Sequence, residues 1–204
     1  MKRVLVKTAC AMGLLSVMTC AIADASLPAG WYLEGNIGQS KSTSKVYPGV
    51  SLLKNTGRGW NVNIGYKFMP YVGLEAGFIR YAPTRLNSPV QTVARDSHTA
   101  YDIVAKGMLP FGCSGLELFA KAGVVRIHSQ IGVIDSEGAA AYGLTFNTAG
   151  QTSTGLYVGG GLAYSFAPNV AVNVQWNRAK GNSKTGNFQL ITAGISYLLD
   201  PVFI

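Results

Sequence analysis

Charge is scarce in this sequence of 204 residues: only 13% are Asp, Glu, Lys or Arg, about half the roughly 25% of an ordinary soluble domain. Long apolar runs are missing too. Beyond the N-terminal stretch nothing approaches the roughly 20 consecutive apolar residues that a helix needs to cross a bilayer, which excludes a helical membrane bundle. The chain has 3 cysteines and 2 histidines. No zinc-ligand spacing, P-loop or dinucleotide fingerprint is present, so no metal and no cofactor is expected. What is plentiful is apolar surface, 48% of residues, together with 25 glycines. That composition excludes disorder, and the length fits one domain with or without a processed leader.

Residues 1–25 read as a secretory signal peptide. Lys2, Arg3 and Lys7 form the basic start, Ala9 to Val17 the apolar stretch, and Ala21-Ile22-Ala23 or Ala23-Asp24-Ala25 the cleavage site. Cys20 does not make a lipoprotein signal, because Val17-Met18-Thr19 lacks the small residues that precede a lipidated cysteine. Loss of the leader removes three basic residues and Asp24, lowering the formal charge from +8 to +6. It also removes Cys10 and Cys20. The remaining thiol, Cys113, cannot form an internal disulfide, so the exported domain, residues 26–204, is expected to be stable without one.

Period-two alternation dominates the chain beyond the leader, the mark of strands with one apolar face. Trp60, Val62, Ile64, Tyr66 and Phe68 alternate with Asn61, Asn63, Gly65 and Lys67. After Met69-Pro70 the pattern resumes with Val72, Leu74, Ala76 and Phe78 against Gly73, Glu75, Gly77 and Ile79, which predicts an antiparallel hairpin. Six further segments alternate in the same way, near residues 31–39, 98–109, 116–127, 155–166, 170–178 and 187–199. Short links (Met69-Pro70, Phe111 to Gly115, Ala167 to Asn169) alternate with long ones (Ser40 to Gly57, Ala82 to Ser97, His128 to Thr154, Ala179 to Gly186). An even set of strands with short turns at one end and long loops at the other is the pattern of a bacterial outer-membrane barrel. The predicted fold is all-β, an eight-stranded antiparallel up-and-down transmembrane β-barrel, closed because lipid cannot satisfy a free sheet edge.

A soluble lipocalin-like ligand carrier would turn the apolar rows inward. The inverse arrangement fits better here. Glycines suit a crowded lumen, Trp31, Trp60, Phe68, Tyr101, Tyr164, Phe166, Trp176 and Tyr197 cluster toward strand ends like membrane-interface girdles, and a water-facing surface would need more charge. Glu34, Glu75, Asp102, Glu117, Lys67, Lys106 and Lys121 then point into the lumen. Unpaired charge there is costly, so carboxylates and ammoniums are expected to bridge across it, Glu75 with Lys106 first. With eight strands a polar plug is the expected result, and an ion path the alternative.

The segments Gly30-Trp31-Tyr32, Trp60 to Tyr66, Tyr71-Val72-Gly73-Leu74-Glu75-Ala76-Gly77, Val104-Ala105-Lys106 and Gly194-Ile195-Ser196-Tyr197 resemble the eight-stranded OmpA-type outer-membrane barrels, with their small single-domain and opacity-type, porin-like relatives. The likeness covers most of residues 30–199. It implies an acidic residue on the third strand paired with a lysine on the fourth, positions that Glu75 and Lys106 match. It also implies a carboxylate on the sixth strand and an arginine on the seventh, where this chain has Ala163 and Asn173, so that type of interior gate is not carried over. No peptidoglycan-binding domain is expected after the barrel. Phe203, next to last, predicts a weaker insertion signal than a terminal aromatic would give.

The resemblance places the long loops outside. They carry Lys41, Lys45, Lys54, Arg85, Arg95, Lys180 and Lys184, with Arg58 and Arg178 near strand ends. Such cations attract the phosphates of lipopolysaccharide and other outer-membrane lipids. Further expected partners are periplasmic chaperones, the barrel-assembly machinery and a host or surface ligand. Nucleic acid is not expected, since the basic residues are scattered and no stacking aromatics interleave them. An enzyme of the outer rim, acting on lipid A or peptides, would have to use His128 and Ser129 with Asp135 or Glu137. Neighbours on a strand point to opposite faces, which separates that pair. The reading is therefore a non-enzymatic envelope barrel with a structural role and loops for adhesion or surface interaction. It predicts recovery in the outer-membrane fraction and different gel migration before and after boiling; indifference to heating would refute a folded barrel.

Overall fold

A computed structural model describes residues 30–43, 52–87, 92–134, 149–183 and 185–199. The leader, Phe203, Lys45, Lys184, and Asp135 with Glu137 lie outside the described residues. The strands are β1 (Gly30–Thr43), β2 (Leu52–Lys54), β3 (Thr56–Met69), β4 (Val72–Arg80), β5 (Thr84–Asn87), β6 (Thr92–Pro110), β7 (Leu116–Val133), β8 (Gln151–Ala167), β9 (Val170–Ala179) and β10 (Asn187–Leu198). Eight of them close a ring in the order β1, β3, β4, β6, β7, β8, β9, β10 and back to β1, every neighbour antiparallel. The seam runs from Tyr32 opposite Leu198 to Thr43 opposite Asn187. The short strands β2 and β5 pair with each other, and β5 with the upper part of β6, as an extension of the wall beyond the barrel body.

The short connections fall where alternation breaks. β3 and β4 meet at residues 70–71, and β8 and β9 at Pro168-Asn169, each beside a register shift. The β6–β7 link contains one turn of 3-10 helix, Gly112–Ser114, closed by Gly115 at φ 72°, a left-handed conformation natural to glycine. At the other end the strands run further than the apolar alternation suggests. β1 continues to Thr43, β6 starts at Thr92 and β7 reaches Val133, so parts of the expected long loops are wall. The reason is physical. Above the lipid, outward positions such as Arg95 and Ser97 face water and carry no apolar signal, while the backbone ladder continues unchanged.

The two faces sort as period two requires. Ile37, Val62 and Ile103 are at least half exposed, whereas Glu34, Asn63 and Glu75 retain 3% exposure or less. On β7 the outward apolar row runs from Leu116 to Val124, matching the 9–11 residues that a tilted strand needs to cross hydrocarbon. Aromatic rings mark its limits. Trp31, Tyr66 and Phe68 make edge contacts at the short-turn end, and Trp60, Phe78 and Tyr101 contact in series across β3, β4 and β6 toward the other. Inward glycines make the lumen narrow enough to fill. A Cβ at Gly65 would fall on the Tyr32 ring, and one at Gly77 on the Asn63 and Asp102 side chains.

Gly65→Leu should therefore displace Tyr32 from the lumen and destabilise the barrel by roughly 1–3 kcal/mol, the usual cost of overpacking. Urea unfolding in detergent micelles will measure it, and an unchanged midpoint would contradict the packing described.

Candidate functional site in the barrel interior

Four charged side chains from four strands meet in the lower lumen. Lys106 on β6 and Lys121 on β7 lie directly opposite each other in the ladder, which places two ammoniums side by side. Glu34 of β1 and Glu75 of β4 answer them. Lys106 Nζ stands 2.9 Å from Glu75 Oε1 and 3.4 Å from Glu34 Oε2; Lys121 Nζ stands 2.6 Å from Glu75 Oε2 and 3.2 Å from Glu34 Oε1. All four are at most 4% exposed. The remaining acceptor capacity is used by neutral donors: Tyr32 Oη donates to Glu75 at 2.6 Å, while Asn36, Asn63 and Gln175 amides donate to Glu34 at 2.9–3.0 Å. Lys106 also lies 5.0 Å from the Tyr32 ring centre and 4.6 Å from that of Phe119. Two plus and two minus charges, hydrogen-bonded on every side, form a neutral crosslink through the lumen, the condition under which buried ion pairs are tolerated.

The other expected lumen charges divide. Lys67 and Glu117 pair at 3.3 Å across the short-turn mouth, from β3 to β7. Asp102 is buried but makes no ion pair among the described residues, and its Oδ2 has no hydrogen-bond partner there. The expectation of cross-lumen pairing for Asp102 is thus corrected: the residue lies opposite Gly77 and Val125, two inward positions above the lysines. Sequence reasoning did not find Tyr32, Asn36, Asn63 or Gln175 as members of the cluster, although each lies on the inward row of its strand.

A second correction concerns the lumen as a polar plug. Above the ion cluster it is apolar. Ile79, Tyr81, Val125, Ile127, Tyr157, Ala179, Phe188 and Leu190 pack into one buried layer, with the Tyr81 and Phe188 rings stacked at 4.4 Å and 22°. Ile79, Val125, Tyr157 and Leu190 sit on inward rows beside an outward apolar neighbour. Doublets such as Phe78-Ile79, Val124-Val125 and Leu190-Ile191 were the available signal. Over this layer lies a polar tier. Thr84 Oγ1 is 3.2 Å from His98 Nε2, His98 Nδ1 is 2.6 Å from Ser129 Oγ, and Ser129 Oγ donates to Asp96 at 3.1 Å, tying β5, β6 and β7 together. Below the ion cluster a small vestibule, with about 50 Å³ accessible to water, is lined by Lys67, Glu117, Ala163, Ser165, Asn173 and Ser196 among others. Ala163 and Asn173 face each other there in register.

The outer-rim pair separates as period two requires. Ser129 is buried in the polar tier, and His128 is exposed with Nδ1 3.0 Å from Thr152 Oγ1.

This architecture of a closed ring, lipid-facing apolar rows and charged lumen agrees with a family match. The sequence fits the outer membrane protein beta-barrel domain over residues 8–198. The chain belongs to that family, and it is a protein of the bacterial outer membrane. An uncharacterized protein of Coxiella burnetii is 29% identical over 210 residues, 83% of this chain and 85% of that one. Among solved structures, Ail, the attachment invasion locus protein of Yersinia pestis, aligns over 84% of this chain and 100% of its own at 18% identity and a TM-score of 0.55. Neisserial surface protein A (NspA) aligns over 84% of this chain and 99% of its own, again at 18% identity and TM-score 0.55. These structures share the fold.

Removal of one member of the cluster should show its cost. Lys121→Met leaves two carboxylates facing one ammonium and should destabilise the barrel by roughly 3–5 kcal/mol. Lys67→Met, at the wetter mouth, should cost no more than about 1 kcal/mol. Denaturant titrations of both variants in one bilayer system give the comparison, and equal losses would refute the distinction.

Proposed function

We propose that this is a non-enzymatic envelope barrel that grips the phosphates of outer-leaflet lipopolysaccharide through a collar of arginines and so braces the membrane around it. The observation that carries the reading is the sorting of charge by sign. Glu34, Glu75, Asp96, Asp102 and Glu117, the carboxylates among the described residues, are all buried inside. The arginines among those residues are all exposed. Four of them occupy one level. Arg58, Arg80, Arg126 and Arg178 each stand at the first outward position above the apolar row, two residues beyond Trp60, Phe78, Val124 and Trp176 respectively.

The neighbours of these arginines fit the reading. Across the ladder Arg58 faces Gln39, Arg80 faces Thr99, Arg126 faces Thr154 and Arg178 faces Gln189, so each guanidinium has a neutral hydrogen-bonding group on a neighbouring strand. Lys41 and Lys180 add charge just above. Guanidinium forks suit phosphate oxygens. The short-turn rim, periplasmic by the usual rule for such barrels, is aromatic and carries no outward charge among the described residues. A cylinder with cations at one rim only suits a bilayer whose outer leaflet alone is rich in phosphorylated glycolipid.

A second reading rests on the likeness to Ail, which has also been solved in complex with the heparin analogue sucrose octasulfate. In it the same cations serve a sulfated surface ligand and the long connections serve attachment.

The test compares the wild-type protein with a variant carrying Arg58→Gln, Arg80→Gln, Arg126→Gln and Arg178→Gln. Retention of lipopolysaccharide, of a dephosphorylated form and of sucrose octasulfate is measured as salt rises. Each guanidinium should contribute about 1 kcal/mol to retention of the phosphorylated lipid, with the difference shrinking at high salt. Retention that ignores both the substitutions and the phosphates would remove the lipid reading, and preference for the octasulfate would favour the second. Lipid A should emerge from the incubation with its mass unchanged.

A further inference from the structure

Apart from Asp102 Oδ2 on β6, the buried polar atoms of the lumen that lack partners gather on four neighbouring strands, β9, β10, β1 and β3. Among the described residues, Asn173 and Asn177 have neither amide atom hydrogen-bonded, and Gln175 Oε1, Thr192 Oγ1, Asn36 Oδ1 and Asn61 Oδ1 are also unpaired, all in buried side chains. Asn173, Gln175 and Asn177 are successive inward positions of β9, and Thr192 faces Gln175 from β10. They form a column along one wall. Its foot is in the vestibule, which Asn173 lines with Ala163, Ser165 and Ser196. Its head is under the apolar layer, where Asn177 lies opposite Leu190 and the next inward residue of β9 is Ala179. Buried amides without protein partners are ordinarily satisfied by water.

We propose that the lumen is a pore closed at a single level: water enters from the periplasmic mouth, rises along the β9 wall, and stops at the apolar layer centred on the Tyr81–Phe188 stack. The ion cluster does not make the seal on this view. Its charged side chains bridge β1, β4, β6 and β7 and touch the column at Gln175, whose Nε2 donates to Glu34 while its Oε1 stays unpaired, as do both amide atoms of Asn173 below and Asn177 above. The apolar layer draws residues from β4, β6, β7, β8, β9 and β10, and on the β1 and β3 side buried Ser40 and Gly59 fill the same level beside Leu190. A narrow apolar constriction excludes water and ions by dewetting even where it is not sterically shut. The position of Tyr81 gives the layer a movable part. It lies in the break between β4 and β5, where its backbone N–H donates to the His98 carbonyl at 3.1 Å. Its ring can therefore leave the stack without parting a transmembrane ladder.

Single-channel recording in planar bilayers tests this with four proteins, each first confirmed as folded by its heat-dependent gel shift. Wild type should be silent. Tyr81→Ala with Phe188→Ala should raise conductance at least about ten-fold, as expected for loss of an apolar gate. Should that pair fold poorly, Leu190→Asn wets the same layer with little change of volume and should conduct as well. Glu34→Gln with the layer intact should remain silent. Adding Ala163→Trp to the open variant fills the vestibule and should return it to the wild-type level. Folded but silent layer variants, conductance in Glu34→Gln, or conductance that persists past Ala163→Trp would each overturn the proposal.

Discussion

The constraint on which everything else rests is that no backbone N–H or C=O can be left without a partner in hydrocarbon. For a chain of alternating segments, none long enough to span as a helix, the only solution is a ring of strands in which the last pairs with the first. β10 supplies that closure against β1 along the length of the seam. Once the ring is shut, period two assigns every side chain. Odd and even positions cannot exchange, because a slip of one residue would turn the Trp and Ile rows into the lumen and the carboxylates into lipid. Eight strands also fix the width. The interior must be filled, and inward glycines such as Gly65 leave space for large neighbours such as Tyr32.

Within that geometry the lumen is layered rather than uniform. A rim pair at the mouth, a neutral four-charge crosslink, a stacked apolar tier and a hydrogen-bonded polar tier succeed one another along the axis. The layers do different physical work. The crosslink ties strands on opposite sides of the wall, since Glu34 and Lys121 are separated by 87 residues in the chain. The apolar tier excludes water at the level where the outer surface turns cationic, Ile79 beside Arg80 and Ile127 beside Arg126. The polar tier then pins the extension formed by β5 to the barrel wall through Thr84 and His98.

Much of this was legible in the sequence, and the residues show why. Trp60 to Phe68 alternates without a break, so both its strand state and its lipid face could be read. Glu75 and Lys106 could be matched because β4 and β6 are neighbours in register. The other partners of the cluster could not. Gln175 reaches Glu34 across 141 residues of sequence, a contact that exists only because the sheet curves shut. Strand ends above the lipid were hidden for another reason: with water on the outside, Arg95 and Ser97 carry no hydrophobic period although their ladder persists. Phe188 and Leu190 were missed because an apolar residue on an inward row looks like noise in an alternation rule, when it is in fact the start of a new layer.

The arginine collar has a consequence for how the protein comes to rest. In a barrel that enters from the periplasm with its long connections leading, the guanidiniums must be carried through the hydrocarbon, where each opposes the passage by roughly 2–4 kcal/mol at midplane. The same barrier stands against return. Four cations at one level, reached only after the crossing is complete, act as a pawl: the finished cylinder cannot slip back, tilt its rim under, or reinsert upside down without dragging all of them through oil at once. A collar that meets the headgroups as proposed would hold orientation in the membrane kinetically, independently of how stable the strands are.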